Sequence, residues 1–382
     1  MDSLQQQIQT YFRSRTKGGN GVLGDYIATP HRSHSTFYCN NDYLNLSCHE
    51  SILSEQIRDF QASTGREAML SSFFLTDDDP HAALEEDMGN WFGKECYLAQ
   101  SGDAANVGLM HAICSKGQNV YVDKHVHMSF FDGLAARSAK IHPNRPNDAA
   151  HLEANIRANG PGIILIESIY SNTGAFAPLE EIVRIKKKYG CTLVVDESHS
   201  LGVSGSKGFV HLAGFEEDVD FVTASLAKAY ACRAGVVFSS NALYIKENSF
   251  PYIFSSALTK NGIVRIRAAW EVIKTADGRR ANLHSASRRL RERPSSLVDL
   301  AKTDCSIPSH IVCIQLRDEE EMACMHRHLS SRGIMVSPFF YPAVSRKRPM
   351  LRLTVHCGIS EADIEDTCAA VASFPRTEQS KL

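Results

Sequence analysis

Between residues 95 and 240 the chain alternates short apolar runs with longer amphipathic stretches. The runs at 96–99, 119–123, 140–142, 163–167, 192–196, 220–223 and 235–239 read as strands. Most are continuous blocks without polar alternation, the pattern of strands covered on both faces. The intervening segments read as helices. One is predicted at 104–114. Another is predicted at 178–189, with Pro178 near its start and Gly190 just past its end. Alternation of this kind predicts an α/β fold with a mainly parallel sheet.

Beyond residue 240 the pattern changes. A helical stretch is predicted from 263 to 293, stopping at Pro294 and rich in arginine: Arg265, Arg267, Arg279, Arg280, Arg288, Arg289, Arg291 and Arg293. A solvated face is the expected role of these charges, with a nucleotide- or CoA-contacting surface as the alternative. Strands follow at 310–315, 336–340 and 351–355, then a helix from Ser360 with Glu361 and Asp363 in its first turn. These elements predict a smaller C-terminal α+β domain. The polar N-terminal stretch holds a turn signal, Gly18-Gly19-Asn20-Gly21. The expected organisation is an N-terminal segment, 1–50, joining the small domain; a large domain, 51–258; and a linking helix with the small domain, 259–382.

Composition narrows the function. The 382 residues carry a formal charge of −2, with 43% hydrophobic and 22% charged residues, an ordinary globular balance for a chain long enough to bury a full core. A near-neutral chain has no long-range field for polyanions, which argues against nucleic-acid binding. The 11 cysteines are scattered without C-x-x-C spacing, as expected of thiols in a reducing compartment. No signal-like N-terminus or membrane-length apolar run is present, so a cytoplasmic protein without stable membrane insertion is expected.

In an open α/β sheet, ligands bind beyond the carboxyl ends of the strands. The polar residues just past each run are Ser101-Gly102-Asp103, His125 and His127, Ser168 and Ser171, Asp196-Glu197-Ser198-His199, Ser225 with Lys228, and Ser239-Ser240. Asp196 can serve a metal, a protonated ring nitrogen or a turn, and His199 follows it closely enough to share a ligand. Lys228 lies among small and apolar neighbours, where burial lowers an ammonium pKa and frees the amine for Schiff-base chemistry. Ser101-Gly102 opens a helix whose N–H groups suit a phosphate. A phosphate cradle, an acid, a histidine and a buried lysine together are what pyridoxal 5'-phosphate requires. Walker, dinucleotide-binding, nucleophile-elbow and H-E-x-x-H motifs are absent, and no metal is expected.

Several stretches resemble the α-oxoamine synthases. Cys39-Asn40-Asn41-Asp42-Tyr43-Leu44-Asn45-Leu46-Ser47 is similar to their C-S-N-D-Y-L-G-L-S, and Val195-Asp196-Glu197-Ser198-His199-Ser200-Leu201-Gly202 to V-D-E-A-H-S-L-G. Thr223-Ala224-Ser225-Leu226-Ala227-Lys228 resembles their lysine segment, Phe254-Ser255-Ser256-Ala257-Leu258 resembles F-S-T-A-L, and Leu351-Arg352-Leu353 resembles L-R-I. Within that family the chain looks most like the quorum-sensing α-aminoketone autoinducer synthases. Three stretches carry this likeness, 100–109, 160–164, and 223–228 with Arg233-Ala234-Gly235, and Ser198 in the acid motif fits it too.

The resemblance implies a pyridoxal-phosphate transferase of fold type I, with a seven-stranded sheet and a small C-terminal domain. Lys228 would carry the cofactor and remove a Cα proton. Asp196 would pair with the ring nitrogen, His199 with the ring hydroxyl, and His127 would stack on the ring beside Ser171. Ser101, Gly102, Asp103 and Ser225 would hold the phosphate, and Ser256 would reach the phosphate in a second subunit, implying a homodimer with shared sites. Arg352, with Asn41 nearby, would bind the substrate carboxylate. The implied reaction joins a medium- or long-chain acyl-CoA to 2-aminobutyrate or S-adenosylmethionine, with loss of CO2, giving an α-aminoketone. Other oxoamine synthases use other pairs: 8-amino-7-oxononanoate synthase, serine palmitoyltransferase and glycine C-acetyltransferase types. The chain departs from the family pattern at Asp103, at Asn45 and Ala227 in place of glycines, and at the aromatic-acidic stretch Phe73-Phe74-Leu75-Thr76-Asp77-Asp78-Asp79. Arg346, Lys347 and Arg348 are expected to form an exposed basic loop, with CoA phosphates as an alternative contact.

Overall fold

The computed structural model describes residues 3–15, 35–63, 69–292, 307–341, 344–345 and 348–375. The Gly18–Gly21 turn signal, Arg293, Pro294, Arg346 and Lys347 lie outside these residues. The strands are β1 Thr36–Phe37, β2 Glu95–Ala99, β3 Asn119–Asp123, β4 Lys140–Asn144, β5 Ile163–Glu167, β6 Thr192–Asp196, β7 Phe221–Ser225, β8 Gly235–Ser239, β9 Ile311–Gln315, β10 Ile334–Met335, β11 Ser337–Phe339 and β12 Met350–Thr354.

The large sheet has seven strands in the order β2-β8-β7-β6-β5-β3-β4. Only β8 runs against its neighbours β2 and β7; the remaining pairs are parallel. The continuous apolar runs have a direct cause here. Leu98, Ile164, Leu193, Val195, Val222 and Phe238 enter one core cluster, whereas Tyr97, Ala99, Ile163, Leu165, Val194 and Val237 enter another. Successive side chains point to opposite faces, and both faces are buried. The first cluster also takes in Ile311, Ile314, Leu351 and Leu353 of the small antiparallel sheet β11-β12-β9. The short β1 pairs in parallel with β10, bringing the N-terminal segment alongside the C-terminal elements.

The stretch read as one helix over 263–293 is two: Lys260–Lys274 and Asp277–Glu292. The break falls just before Asp277-Gly278, with no proline. Arg280, 5% exposed, holds it by donating to the carbonyls of Ile273 and Gly202 and to the carboxylate of Asp277. Three of its neighbours act similarly, which corrects the expectation of a solvated basic face for these four, whereas Arg288 and Arg289 are exposed as expected. Arg265 donates to the carbonyls of Ala231 and Ser47, Arg279 to that of Leu44, and Arg291 to those of Ser309 and Ile311. Among the described residues no helix is long and apolar enough to cross a membrane.

Two glycines let backbone segments meet at the sheet edge. A Cβ on Gly235 would lie 2.2 Å from the Ser101 carbonyl oxygen, and one on Gly102 would lie 2.5 Å from Ser225 Cβ. Replacing Gly235→Ala forces β8 away from the start of helix Gly102–Ile113. The expected cost is about 1–3 kcal/mol, read as a lower urea midpoint for the cofactor-free chain, together with weaker binding of pyridoxal phosphate.

Candidate active site

The carboxyl ends of the parallel strands converge on Asp196, the last residue of β6. Asp196 is 4% exposed, and such a charge requires hydrogen-bond partners. Its Oδ1 accepts from Ser198 N–H at 2.8 Å and its Oδ2 from Asn106 Nδ2 at 2.9 Å. Asn106 Nδ2 also reaches Ser129 Oγ at 3.1 Å, and that hydroxyl lies 2.9 Å from His127 Nδ1. His127 caps helix Met128–Ala136 and is itself exposed. A hydrogen-bonded chain therefore runs from the acid to the exposed histidine.

Glu167 ends β5 directly beside Asp196 in the sheet register. Burial, the Asp196 charge and, to a lesser extent, Asp123 push its carboxyl up to about 8, against the Ser171 N–H and Lys228. Two carboxylates this close do not both ionise at neutral pH, and Glu167 keeps its proton. Its Oε2 accepts from Ser171 N–H at 2.8 Å, and the Ser171 carbonyl in turn accepts from Arg352 Nη1 at 2.8 Å. Arg352 Nη2 reaches Asn41 Oδ1 at 3.3 Å, and its guanidinium lies 4.6 Å from the Phe339 ring. The Nε of Arg352 is buried without a partner.

Lys228 sits in the turn between β7 and β8. That turn is closed by Ala231 N–H to the Lys228 carbonyl and by a bond from Leu226 N–H to the Ala234 carbonyl, both 2.9 Å. Burial lowers its ammonium pKa most, opposed chiefly by the attraction of Asp196 and helped by Arg352. His199 is buried too. Desolvation, and then the charges of Lys228 and Arg352, hold its imidazole well below the ordinary range. Its Nδ1 lies 2.7 Å from Tyr43 Oη, which is 3.2 Å from Asn41 Oδ1.

The phosphate candidates cluster as the sequence suggested. Ser101 is the N-cap of helix Gly102–Ile113, its Oγ accepting from Ala104 N–H at 3.0 Å. The N–H groups of Gly102 and Asp103 have no acceptor within the helix, and the Asp103 side chain is exposed. Ser225 packs where a Gly102 side chain would be. Ser256 is exposed and its carbonyl accepts from Gln100 Nε2 at 2.7 Å, next to the helix start.

Other candidates fall elsewhere. Because β8 is reversed, Ser239 pairs with Phe221 and Glu95, at the opposite edge from Ser225 and Gly235, so Ser239-Ser240 is not part of this site. Ser168 is fully buried and bonds Ser200 Oγ at 2.6 Å. His125 lies edge-on to the Tyr170 ring. Sequence reasoning assigned no role to Asn106, Tyr43, Glu167 or Ser129. A polar Asn106 among Ala105, Gly108, Leu109 and Met110 was the available signal, since a buried amide in an apolar helix needs a partner.

These residues fit pyridoxal phosphate: unpaired N–H groups and a backbone gap for phosphate, a held acid for a ring nitrogen, a neutral histidine for a hydroxyl, and a lysine whose charge is disfavoured. Two measurements follow. Asn106→Leu removes the amide that holds Asp196 and is expected to cost about 1–3 kcal/mol in chemical denaturation, with weaker cofactor binding. For Glu167 the folded chain retains a proton that the unfolded chain loses above its ordinary 4.5. Wild-type stability therefore falls, relative to Glu167→Gln, as pH rises from 4.5 towards 8. Urea midpoints at pH 5, 6, 7 and 8 check this; parallel curves for the two chains contradict it.

The family model for aminotransferase class I and II matches residues 38–371. The CAI-1 autoinducer synthase of Vibrio campbellii is 34% identical over 336 residues, covering 87% of this chain and 84% of that one. A serine palmitoyltransferase of Caulobacter vibrioides is 28% identical, covering 85% and 82%. Among solved structures, a Sphingomonas wittichii serine palmitoyltransferase superposes with a TM-score of 0.81 at 24% identity, covering 89% of this chain and 86% of that one. A serine palmitoyltransferase of S. paucimobilis, solved with a PLP–myriocin aldimine, gives 0.87 at 22%, covering 97% of each chain. With the fold and the family match in agreement, the chain belongs to the α-oxoamine synthases, the pyridoxal-phosphate-dependent acyltransferases of the class I and II aminotransferase family.

Proposed function

We propose that this chain condenses a medium- or long-chain acyl-CoA with 2-aminobutyrate or S-adenosylmethionine, releasing CoA and CO2. The product would be the α-aminoketone precursor of an α-hydroxyketone cell-to-cell signal. The observation that carries this reading is the 34% identity to an autoinducer synthase, against 28% and 27% to serine palmitoyltransferase and 8-amino-7-oxononanoate synthase at similar coverage.

In this reading each residue has one task. Bound pyridoxal phosphate supplies an electron sink for negative charge at the amino-acid Cα. The N–H groups of Gly102 and Asp103, with Ser101 and Ser225, hold the phosphate. Asp196, held in place by Asn106 and Ser198, keeps a proton on the ring nitrogen. His199 donates to the ring hydroxyl, and His127 covers the ring near Ser171. Arg352, braced by Ser171 and Asn41, binds the amino-acid carboxylate and so fixes which Cα bond faces Lys228. The Lys228 amine then accepts and returns the Cα proton.

The proposal includes a homodimer. Met69, Leu70, Phe73, Phe74, Phe250 and Phe254 form an exposed apolar surface. Ala257 N–H bonds the Leu70 carbonyl and Ser71 Oγ donates to the Ile253 carbonyl, tying that surface to the Ser256 segment beside the phosphate cradle. An apolar patch of this composition is suited to a partner subunit, and Ser256 would then serve the second site.

Purified, cofactor-loaded protein should release CoA thiol fastest with medium- or long-chain acyl-CoA and one of the two proposed amino donors. Lys228→Ala should lower that rate roughly 10²–10⁴-fold. The panel runs from acetyl- to palmitoyl-CoA, each with glycine, alanine, serine, 2-aminobutyrate and S-adenosylmethionine. A maximum at acetyl-, succinyl- or pimeloyl-CoA with glycine or alanine would assign another oxoamine synthase activity, and a maximum at palmitoyl-CoA with serine would assign serine palmitoyltransferase activity.

A further inference from the structure

His199 can meet a ring hydroxyl in two ways, as an N–H donor or as a bare nitrogen acceptor, and only the first stabilises a negative oxygen. Which form is present depends on what the other ring nitrogen does. Burial, helped by Lys228 and Arg352, keeps the imidazole neutral, so it holds one ring proton. Its Nε2 has no hydrogen-bond partner among the described residues, and its Nδ1 faces Tyr43 Oη at 2.7 Å.

Tyr43 is positioned to decide the matter. It is fully buried, and its ring meets His310 edge-on at 4.3 Å. Its backbone is pinned by Tyr43 N–H to the Asn41 carbonyl and by Cys357 N–H to the Tyr43 carbonyl, both 2.8 Å. The hydroxyl carries one proton and faces two acceptors. Asn41 Oδ1, at 3.2 Å, is an amide oxygen already approached by Arg352 Nη2. His199 Nδ1 is closer and is the stronger base, so it takes the proton.

We infer that Tyr43 is a positioning residue that locks His199 as the Nε2–H tautomer by donating its hydroxyl proton to Nδ1, leaving Nε2–H to donate to the hydroxyl oxygen of the cofactor ring. The inference rests on the placement of His199 beside that oxygen. It adds a residue that acts on the cofactor through another side chain. It also places the ring oxygen near the carboxylate site, because Asn41 Oδ1, which accepts from Arg352 Nη2, lies 3.2 Å from Tyr43 Oη.

The test reads the bound cofactor's own proton. A donor to the ring oxygen withdraws electron density that otherwise helps hold the proton on the lysine-linked nitrogen. Losing the donor therefore raises the pH midpoint of the visible absorbance change of protein-bound pyridoxal phosphate. Tyr43→Phe keeps the ring and its packing. Its midpoint should rise by roughly half to one unit, and His199→Asn should raise it at least as far. A midpoint that moves in His199→Asn but not in Tyr43→Phe reduces Tyr43 to packing and overturns the inference while leaving the site intact. A fall in Tyr43→Phe indicates the opposite tautomer and overturns it as well. No movement in either variant removes His199 from the ring oxygen and takes the inference with it. The wild-type protein gives a check independent of whether Tyr43→Phe folds. Solid-state spectra of 15N-histidine-labelled holoenzyme should show a pyridine-type Nδ1 and a pyrrole-type Nε2 for the signals lost in His199→Asn. The reverse pattern contradicts the assignment.

Discussion

A nearly buried carboxylate at the end of β6 organises this molecule. Taking Asp196 out of water costs several kcal/mol unless its oxygens are answered, and the site is largely that answer. The Ser198 N–H and the Asn106 amide supply direct hydrogen bonds. The Asp196 charge also disciplines its neighbour. Together with burial it holds the carboxyl of Glu167, its partner in the sheet register, well above the usual range. Glu167 then orders the loop after β5 through Ser171 N–H, and the Ser171 carbonyl orients Arg352 on a strand of the other sheet. One acid thus sets the geometry of a cation that lies more than 150 positions along the chain.

Much of this architecture was legible in the sequence, for local reasons. Strands buried on both faces need uninterrupted apolar runs, and 119–123, 163–167, 192–196 and 235–239 coincide with β3, β5, β6 and β8. The start of the last helix was equally clear, because Ser360 and Asp363 form a reciprocal cap. What could not be read depended on pairing. The reversed direction of β8 leaves no trace in its composition, so Ser239-Ser240 was grouped with the wrong edge. The helix break at Thr275-Ala276 has no proline, and its only local mark is Asp277-Gly278 just beyond; it is stabilised by Arg280 bonds to the carbonyls of Ile273 and Gly202.

The same limit explains the residues around the carboxylate site. Asn41 and Tyr43 lie on an N-terminal segment that joins the active site only through long-range bonds. Thr354 Oγ1 donates to the carbonyls of Tyr38 and Asn40, Arg279 to that of Leu44, and Arg265 to that of Ser47. These arginines act as backbone clamps, a role that charge patterning alone cannot distinguish from solvated decoration. Asn45 fits the same segment. Its φ of 51° is left-handed backbone, which asparagine tolerates better than most side chains, so the loss of glycine at this position is absorbed without a change of path.

The reversal of β8 has one more consequence. A parallel neighbour would have required a crossover of a dozen or more residues after Ser225. The antiparallel strand instead returns at once, and Lys228 rides on a tight loop whose feet, Ser225 and Gly235, are zipped together. The lysine is therefore a swinging arm on a fixed axle. Its side chain extends from a backbone fixed at both ends, so the root of the lysine is held by the sheet itself.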